Sequence, residues 1–148
     1  MISGPPPDRE EWASLYAAFA ITRNESDRAL SAYRLTVPQA SVLALLAEAG
    51  EPLPVTRLAR LLLQASPSVT SLVDRMCANG LVERVKGHRD RRIVLVRLTP
   101  SGRQTHDSLR LVAAEAADEM FSVLSPEDRV TLKDLLQKFA HRNIQRVR

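Results

Sequence analysis

The sequence is poor in the residues that build disulfide frameworks, aromatic cores and membrane spans. It has one cysteine, Cys77, among 148 residues, which excludes an intrachain disulfide and a cysteine-based zinc site. Aromatic residues make up 4% of the chain, so we expect an aliphatic core. The apolar runs break at polar residues such as Glu48 and Gln64, well short of the roughly 18 apolar residues of a membrane span. The first residues do not resemble a signal peptide, and we therefore expect a cytoplasmic protein without membrane contact.

Sequence motifs of enzymes are equally scarce. We find no G-x-S-x-G and no phosphate-binding loop, and no two histidines are spaced to hold a metal on one helix face. Residues 88–90 spell His-Arg-Asp, as in the catalytic loop of protein kinases, but the glycine-rich loop and the Asp-Phe-Gly of a kinase are missing. We expect no catalytic activity, no cofactor and no metal site.

Positive charge is concentrated in the middle third of the chain. Residues 51–99 contain nine basic and four acidic side chains, whereas residues 1–50 contain four and six, and residues 100–148 contain eight and seven. The net charge of +4 therefore arises from the central segment. A basic balance confined to one segment predicts a nucleic-acid-binding surface there.

The basic segment is predicted to fold as two short helices followed by a hairpin. Apolar residues at helical spacing predict one helix over 55–63, with Leu63 on its inner stripe, and a second that starts at an N-cap, Ser66, and ends at Asn79-Gly80. Residues 81–86 and 93–98 are rich in β-branched side chains and predict two strands. Two helices joined by a tight turn form a helix-turn-helix, and a basic hairpin directly after it is typical of a wing.

The second helix of this pair is the candidate DNA-reading element. Its apolar stripe is predicted to face inward and consists of Val69, Leu72, Val73, Met76 and Cys77. The opposite face presents Ser68, Ser71 and Arg75, with Thr70 and Asp74 beside them. Small hydroxyl residues let the helix N-terminus approach phosphates closely, and Arg75 is long enough to reach a guanine edge or a phosphate. An amphipathic helix with a solvated outer face is the alternative.

The hairpin loop, residues 87–92, holds three arginines, one histidine and one aspartate. A narrow minor groove has a negative potential that attracts arginine. Asp90 is poorly placed to bind phosphate, so we expect it to orient Arg92 through a charge-assisted pair. A solvated, charged loop is the alternative. The candidate DNA contacts in and before the wing are Arg57, Lys86, His88, Arg89, Asp90, Arg91 and Arg92.

Longer helices are predicted on both sides of the basic segment. Apolar spacing predicts a helix from Asp8, in which the polar stretch 21–28 either forms a kink or faces solvent. Apolar spacing and capping residues also predict helices over Thr36–Gly50, from Pro100 to about 124 and after Ser125. The apolar faces of the first and last helices exceed what a small lobe buries, which predicts a homodimer. Two recognition helices one DNA turn apart would then read a palindrome. The candidate dimer contacts are Leu15, Phe19, Val112, Ala116, Met120, Leu132, Leu136 and Phe139.

Residues 81–102, LVERVKGHRDRRIVLVRLTPSG, resemble the MarR family of bacterial transcription regulators, which has a pattern like LVxR…DRRxxxVxLTxxG. The stretches LTVPQASVLALLAE and SPSVTSLVDRMCANG resemble the second helix and the recognition helix of that family. The resemblance implies a mainly α fold with a small β-hairpin wing. A winged helix-turn-helix lobe would span 35–102, with a helical dimerisation lobe at 8–34 and 103–148 and a flexible arm at 1–7.

The resemblance also implies a homodimeric repressor of a palindromic operator in double-stranded DNA, released by a small, often aromatic ligand. It implies recognition-helix contacts to DNA from Ser66, Ser68, Val69, Thr70, Ser71 and Arg75. Trp12, Tyr16 and Tyr33 are candidates for a ligand pocket, although aromatics at helical spacing also suit a core or a dimer contact. Two alternatives are a winged-helix protein that acts mainly through protein contacts and a redox-responsive regulator that uses Cys77.

Overall fold

The computed structural model describes residues 10–87 and 93–144, which form six helices and three short strands. The helices are α1 (Glu10–Ser31), α2 (Val37–Ala49), α3 (Val55–Leu61), α4 (Ser66–Ala78), α5 (Pro100–Met120) and α6 (Pro126–Ile144). The strands are β1 (Leu53–Pro54), β2 (Val82–Lys86) and β3 (Val94–Leu98). This confirms the predicted mainly helical fold with a small hairpin. In the described ranges no helix has the length and apolar character needed to cross a membrane.

The three strands form an antiparallel sheet in the order β1-β3-β2. In its hairpin, Arg84 lies opposite Val96 and Glu83 lies opposite Arg97. Side chains alternate between the two faces of a strand, so Val82, Arg84 and Val96 share the face that contains the buried valines. β1 was not predicted, because two residues are too short to show a strand period. It pairs with the middle of β3, where Leu53 lies opposite Val96.

Helix α2 has the ends that the sequence predicts. The backbone N–H of Thr36 donates a hydrogen bond to Gln39 Oε1 at 2.9 Å, as in a capping box. At the other end Gly50 has a φ of 66°, and its N–H donates to the carbonyl of Leu46. A left-handed residue is accommodated best by glycine, so this position ends the helix without strain.

The helix-turn-helix differs in detail from its prediction. α3 ends at Leu61, and Leu63 lies in the turn with a φ of 54° and 55% of its surface exposed, so its predicted place on the inner stripe is wrong. The left-handed backbone turns this side chain outward, which apolar spacing cannot reveal. α4 includes Ser66 as its first residue, and the N-cap is Ala65 rather than Ser66.

Helix α1 is continuous through the polar stretch that follows Phe19. The helix ends at Ser31, and Arg34 reverses the chain with a φ of 54°. Tyr33 lies in this turn and packs, half-buried, against the core. The polar stretch therefore does not interrupt the helix.

The aliphatic core lies between α2, α4 and the hairpin. The predicted inner stripe of α4 is confirmed, since Val69, Leu72, Val73 and Met76 are buried and Cys77 packs half-buried against them. The most completely buried large side chains of the described ranges come from α2, α3, α4 and the strands. They are Leu43, Leu53, Leu58, Met76, Val42, Val69, Val73, Val82 and Val96.

A compact set of contacts joins the start of α5 to the turn between α4 and β2. The Thr99 hydroxyl donates to the carbonyl of Gly80 at 2.6 Å and accepts from the N–H of Gly102 at 3.0 Å. The backbone N–H of Thr99 donates to the carbonyl of Leu81 at 3.2 Å. A Cβ atom at Gly102 would lie 1.8 Å from that carbonyl oxygen, so the close approach requires glycine. We call these four residues the α5 junction.

We expect Gly102→Ala to lower the free energy of unfolding by about 1–3 kcal/mol, because the added methyl group pushes the start of α5 away from the backbone of Leu81. The higher helix propensity of alanine alone would raise the free energy of unfolding by about 1 kcal/mol. Thermal or urea unfolding measures the difference, with Ser101→Ala as the control on the neighbouring, exposed position. A variant at Gly102 that is as stable as the parent would contradict the close contact.

Candidate nucleic-acid interface

Helix α4 presents a narrow polar face to solvent because its other face is buried. Ser68, Ser71 and Arg75 are exposed on this outer face. The hydroxyl of Thr70 donates to the carbonyl of Ser66 at 2.9 Å, and that of Ser71 donates to the carbonyl of Pro67 at 3.2 Å. These bonds hold the short side chains against the helix, so a backbone phosphate or a base edge can approach the first turns closely.

Val69 does not belong to this surface. Its exposed fraction is 0%, and it packs in the core with the other members of the inner stripe. A side chain in that position cannot contact a ligand outside the protein while the helix stays folded. The contact expected from Val69 by resemblance is therefore wrong, whereas Ser66, Ser68 and Ser71 are accessible as expected.

Two arginines of the helix-turn-helix, Arg75 and Arg57, are exposed. Arg75 lies in the last turn of α4 and forms no ion pair with any residue in the described ranges. Arg57, on α3, lies 3.9 Å from a carboxylate oxygen of Glu51, with both side chains more than half exposed. A pair this long and this exposed contributes little stability, so Arg57 can turn to another anion at low cost.

The hairpin packs against α4 and is bonded to it through an ion pair that the sequence did not reveal. Nη2 of Arg84, on β2, lies 2.7 Å from Oδ1 of Asp74, on α4. On the other face of the same hairpin, Nε of Arg97 lies 2.8 Å from Oε1 of Glu83. Only the strand register places Arg84 on the face toward α4, and register is not visible in the sequence. Lys86 follows on the face of Arg84 and is exposed.

The tip of the predicted wing lies outside the described residues. It contains His88, Arg89, Asp90, Arg91 and Arg92, including the expected pair between Asp90 and Arg92. The two strands are joined at the start of the loop, where the N–H of Gly87 donates to the carbonyl of Ile93 at 2.9 Å. The minor-groove role of the tip stays a prediction.

A cavity of about 440 Å³ lies between α1, α2 and α5. Its walls are mainly apolar and rich in alanine, with His106 and Arg110 as the basic side chains of the lining. Trp12, Tyr16 and Tyr33, the expected pocket residues, do not line it. Trp12 and Tyr16 lie in the first turns of α1 and Tyr33 lies after its end, whereas the cavity is bounded by the second half of that helix, from Thr22 to Leu30, by α2 and by α5.

The predicted dimer contacts fall into two groups. Val112, Ala116 and Met120, on α5, line the cavity within the single chain. The others lie on α1 and α6: Leu15 and Leu132 are half-buried, and Phe19, Leu136 and Phe139 are exposed. α6 makes little contact with the other helices and strands of the described chain.

No group of three or more histidine, cysteine or carboxylate side chains within the described ranges is arranged to hold a metal ion.

Comparison with known proteins identifies the family to which this fold belongs. A sequence model of the MarR family matches residues 35–93. The helix-turn-helix transcriptional regulator YsmB of Bacillus subtilis is 32% identical over 128 residues, an alignment that covers 86% of this chain and 87% of that protein. The chain belongs to the MarR family. It is therefore a DNA-binding transcriptional regulator of MarR type, and this family is not one of enzymes.

Solved MarR-family structures are similar over almost the whole chain. A mutant MarR from E. coli in complex with operator DNA is 25% identical, covers 88% of this chain and 94% of its own, and gives a TM-score of 0.77. BpsR of Bordetella bronchiseptica is also 25% identical. Its alignment covers 93% of this chain and 98% of the BpsR chain, with a TM-score of 0.81. The DNA binding of BpsR is regulated by 6-hydroxynicotinic acid.

We expect Arg75→Ala to weaken operator binding by about 1–3 kcal/mol if its guanidinium reads a base, with the loss restricted to one position of the site. Binding titrations with a set of single-base operator variants measure this. A uniform loss on all sequences would assign the side chain to a phosphate. The control is Arg23→Ala, which removes the same charge from α1, and an Arg75 variant that binds like this control would contradict the interface.

Proposed function

We propose that this MarR-family regulator is a homodimeric repressor that binds a palindromic operator through α4 and its wing and is released by a small ligand. The proposal depends above all on the exposed polar face of α4, which carries Ser68, Ser71 and Arg75 beside a basic hairpin. The positive charge of the chain is greatest in this same lobe. Repression and release follow if the unliganded protein is the form that holds the operator.

The geometry of α4 suits the major groove. Its hydroxyl-bearing first turns offer a short approach to phosphates, and Arg75 extends further along the helix toward base edges. Lys86 and Arg57 lie on neighbouring elements, where they would contact the phosphate backbone on either side. The wing arginines, with Arg92 foremost, would enter the adjacent minor groove.

Exposed apolar side chains on α1 and α6 support a homodimer. Trp12, Tyr16 and Phe19 recur at helical spacing along α1, and all three are exposed in the single chain. Leu135 and Leu136 are exposed on α6, which has little packing within its own chain. An apolar surface of this extent is stabilised by burial, and a second copy of the chain would present the same surface to it.

The cavity between α1, α2 and α5 supports ligand control. At about 440 Å³ it is large enough for a small organic molecule, and its apolar walls suit a ring or a chain. His106 and Arg110 on the lining offer partners for an acidic group. The regulation of BpsR by 6-hydroxynicotinic acid shows that a relative of similar fold responds to an aromatic acid.

A gel shift with DNA from upstream of the protein's own gene tests the proposal directly. We expect a retarded complex that weakens with salt, with a log–log slope of about −0.9 for each phosphate contacted. We also expect one member of a panel of aromatic acids, which includes 6-hydroxynicotinic acid, to dissociate it. A flat salt response would instead favour action through protein contacts. Loss of the complex on mild oxidation, reversed by thiol and abolished by Cys77→Ser, would instead favour a redox-responsive regulator.

We expect Ala113→Phe to remove the ligand response while leaving operator binding intact, because Ala113 lines the cavity and the added ring fills part of it. The measurement is the concentration of the active acid that releases half of the complex. Leu111→Phe is the matched control on the same helix, since Leu111 is exposed and does not line the cavity. A normal response of the Ala113 variant would place the ligand elsewhere.

A further inference from the structure

The recognition surface of α4 contains an acidic side chain. Asp74 directly precedes Arg75 and lies one turn after Thr70, beside the outer face that is proposed to meet DNA. Its side chain is 61% exposed. A bare carboxylate there would be repelled by the phosphates on both sides of the major groove, and the repulsion would weaken binding to every sequence.

The hairpin supplies a cation to this carboxylate. Arg84 lies opposite the buried Val96 in the hairpin, on the face of β2 from which its side chain reaches α4. Its guanidinium ends 2.7 Å from Asp74 Oδ1, the distance of a charge-assisted hydrogen bond. Of the ion pairs between described residues, this one joins α4 to the hairpin.

Stability is a poor explanation for this pair. Both partners are more than one-third exposed, and solvent-exposed ion pairs contribute little to the free energy of folding. The pair between Arg97 and Glu83, on the other face of the hairpin, has nearly the same length. It lies on the face away from α4. Its removal therefore measures the effect of losing an ion pair from the hairpin without a change to the recognition helix.

We propose that Arg84 is a positioning residue for DNA binding, which neutralises Asp74 on the recognition helix and holds its carboxylate toward the hairpin and away from the groove. The proposal rests on the proposed docking of α4 in the major groove. It assigns neither a base contact to Asp74 nor a phosphate contact to Arg84. The pair makes the outer face of α4 net positive, with Arg75 as its uncompensated charge.

Single substitutions separate these roles. We expect Arg84→Gln to weaken binding to the operator about tenfold, because it leaves Asp74 charged and unpaired near phosphates. Arg84→Lys keeps the charge within reach and is expected to bind within about threefold of the parent. Asp74→Asn removes the repulsive charge, so we expect it to bind more tightly, by about fivefold. Fluorescence-anisotropy titrations at one fixed salt concentration measure all three.

The double variant Asp74→Asn with Arg84→Gln is the decisive comparison. It lacks the pair but has the net charge of the parent, and we expect binding within about threefold of the parent. A merely structural role for the pair would leave this variant as weak as Arg84→Gln. An Arg84 that itself bound a phosphate would also leave it weak, so that result overturns the proposal.

Arg97→Gln is the matched control, because it removes one positive charge and one ion pair from the same hairpin on the face away from α4. We expect it to bind like the parent, and thermal unfolding of every variant verifies that the fold is retained. A tenfold loss of operator affinity for Arg97→Gln would show that the effect of Arg84→Gln comes only from the change in net charge. Weaker binding by Asp74→Asn would show that this carboxylate reads a base.

These outcomes differ from a failure of the proposed function. If α4 did not enter DNA, the parent would bind no operator, or Arg75→Ala would bind as tightly as the parent. If α4 does enter DNA and Arg84 has no role, Arg75→Ala is weak while Arg84→Gln is normal. The second pattern overturns only the inference on Arg84.

Discussion

The burial of one face of α4 determines where every other side chain of that helix points. Val69, Leu72, Val73 and Met76 pack in the core, and an α-helix turns by about 100° per residue, so the serines and Arg75 are directed to solvent. The same burial brings β2 against the helix and sets the position of the hairpin. Since the polar face is a consequence of the core, substitutions in the core would act on the proposed DNA binding without any contact to DNA.

Much of the fold follows from the sequence because its signals are local. Capping residues and apolar spacing gave α2, α4 and the hairpin nearly to the residue, and the C-terminal Gly50 of α2 is left-handed as expected. The errors occur where tertiary context decides the outcome. Leu63 is turned outward by a left-handed backbone, and β1 is too short to have a period, so neither is visible to a search for periodicity.

The candidate site was predictable to a similar extent. The outer face of α4 was identified, since inner and outer positions follow from one helical repeat. Val69 was assigned to DNA by resemblance, although its own spacing places it inside. The ion pair of Arg84 depends on strand register, and the cavity depends on which part of α1 packs against α5. Both are relations between different helices and strands, which the pattern of a single element does not contain.

In the proposed dimer, helix α6 would link folding to the amount of protein present. Its 19 residues include several β-branched and polar side chains, and an isolated helix of that kind is only marginally stable in water. It packs little on its own chain, so in the proposed dimer most of its stability would come from the partner copy. By mass action the helix then forms more completely as concentration rises. The concentration of a dimeric regulator would then set two quantities. One is the fraction of operator sites that hold protein, and the other is the fraction of chains that are fully folded.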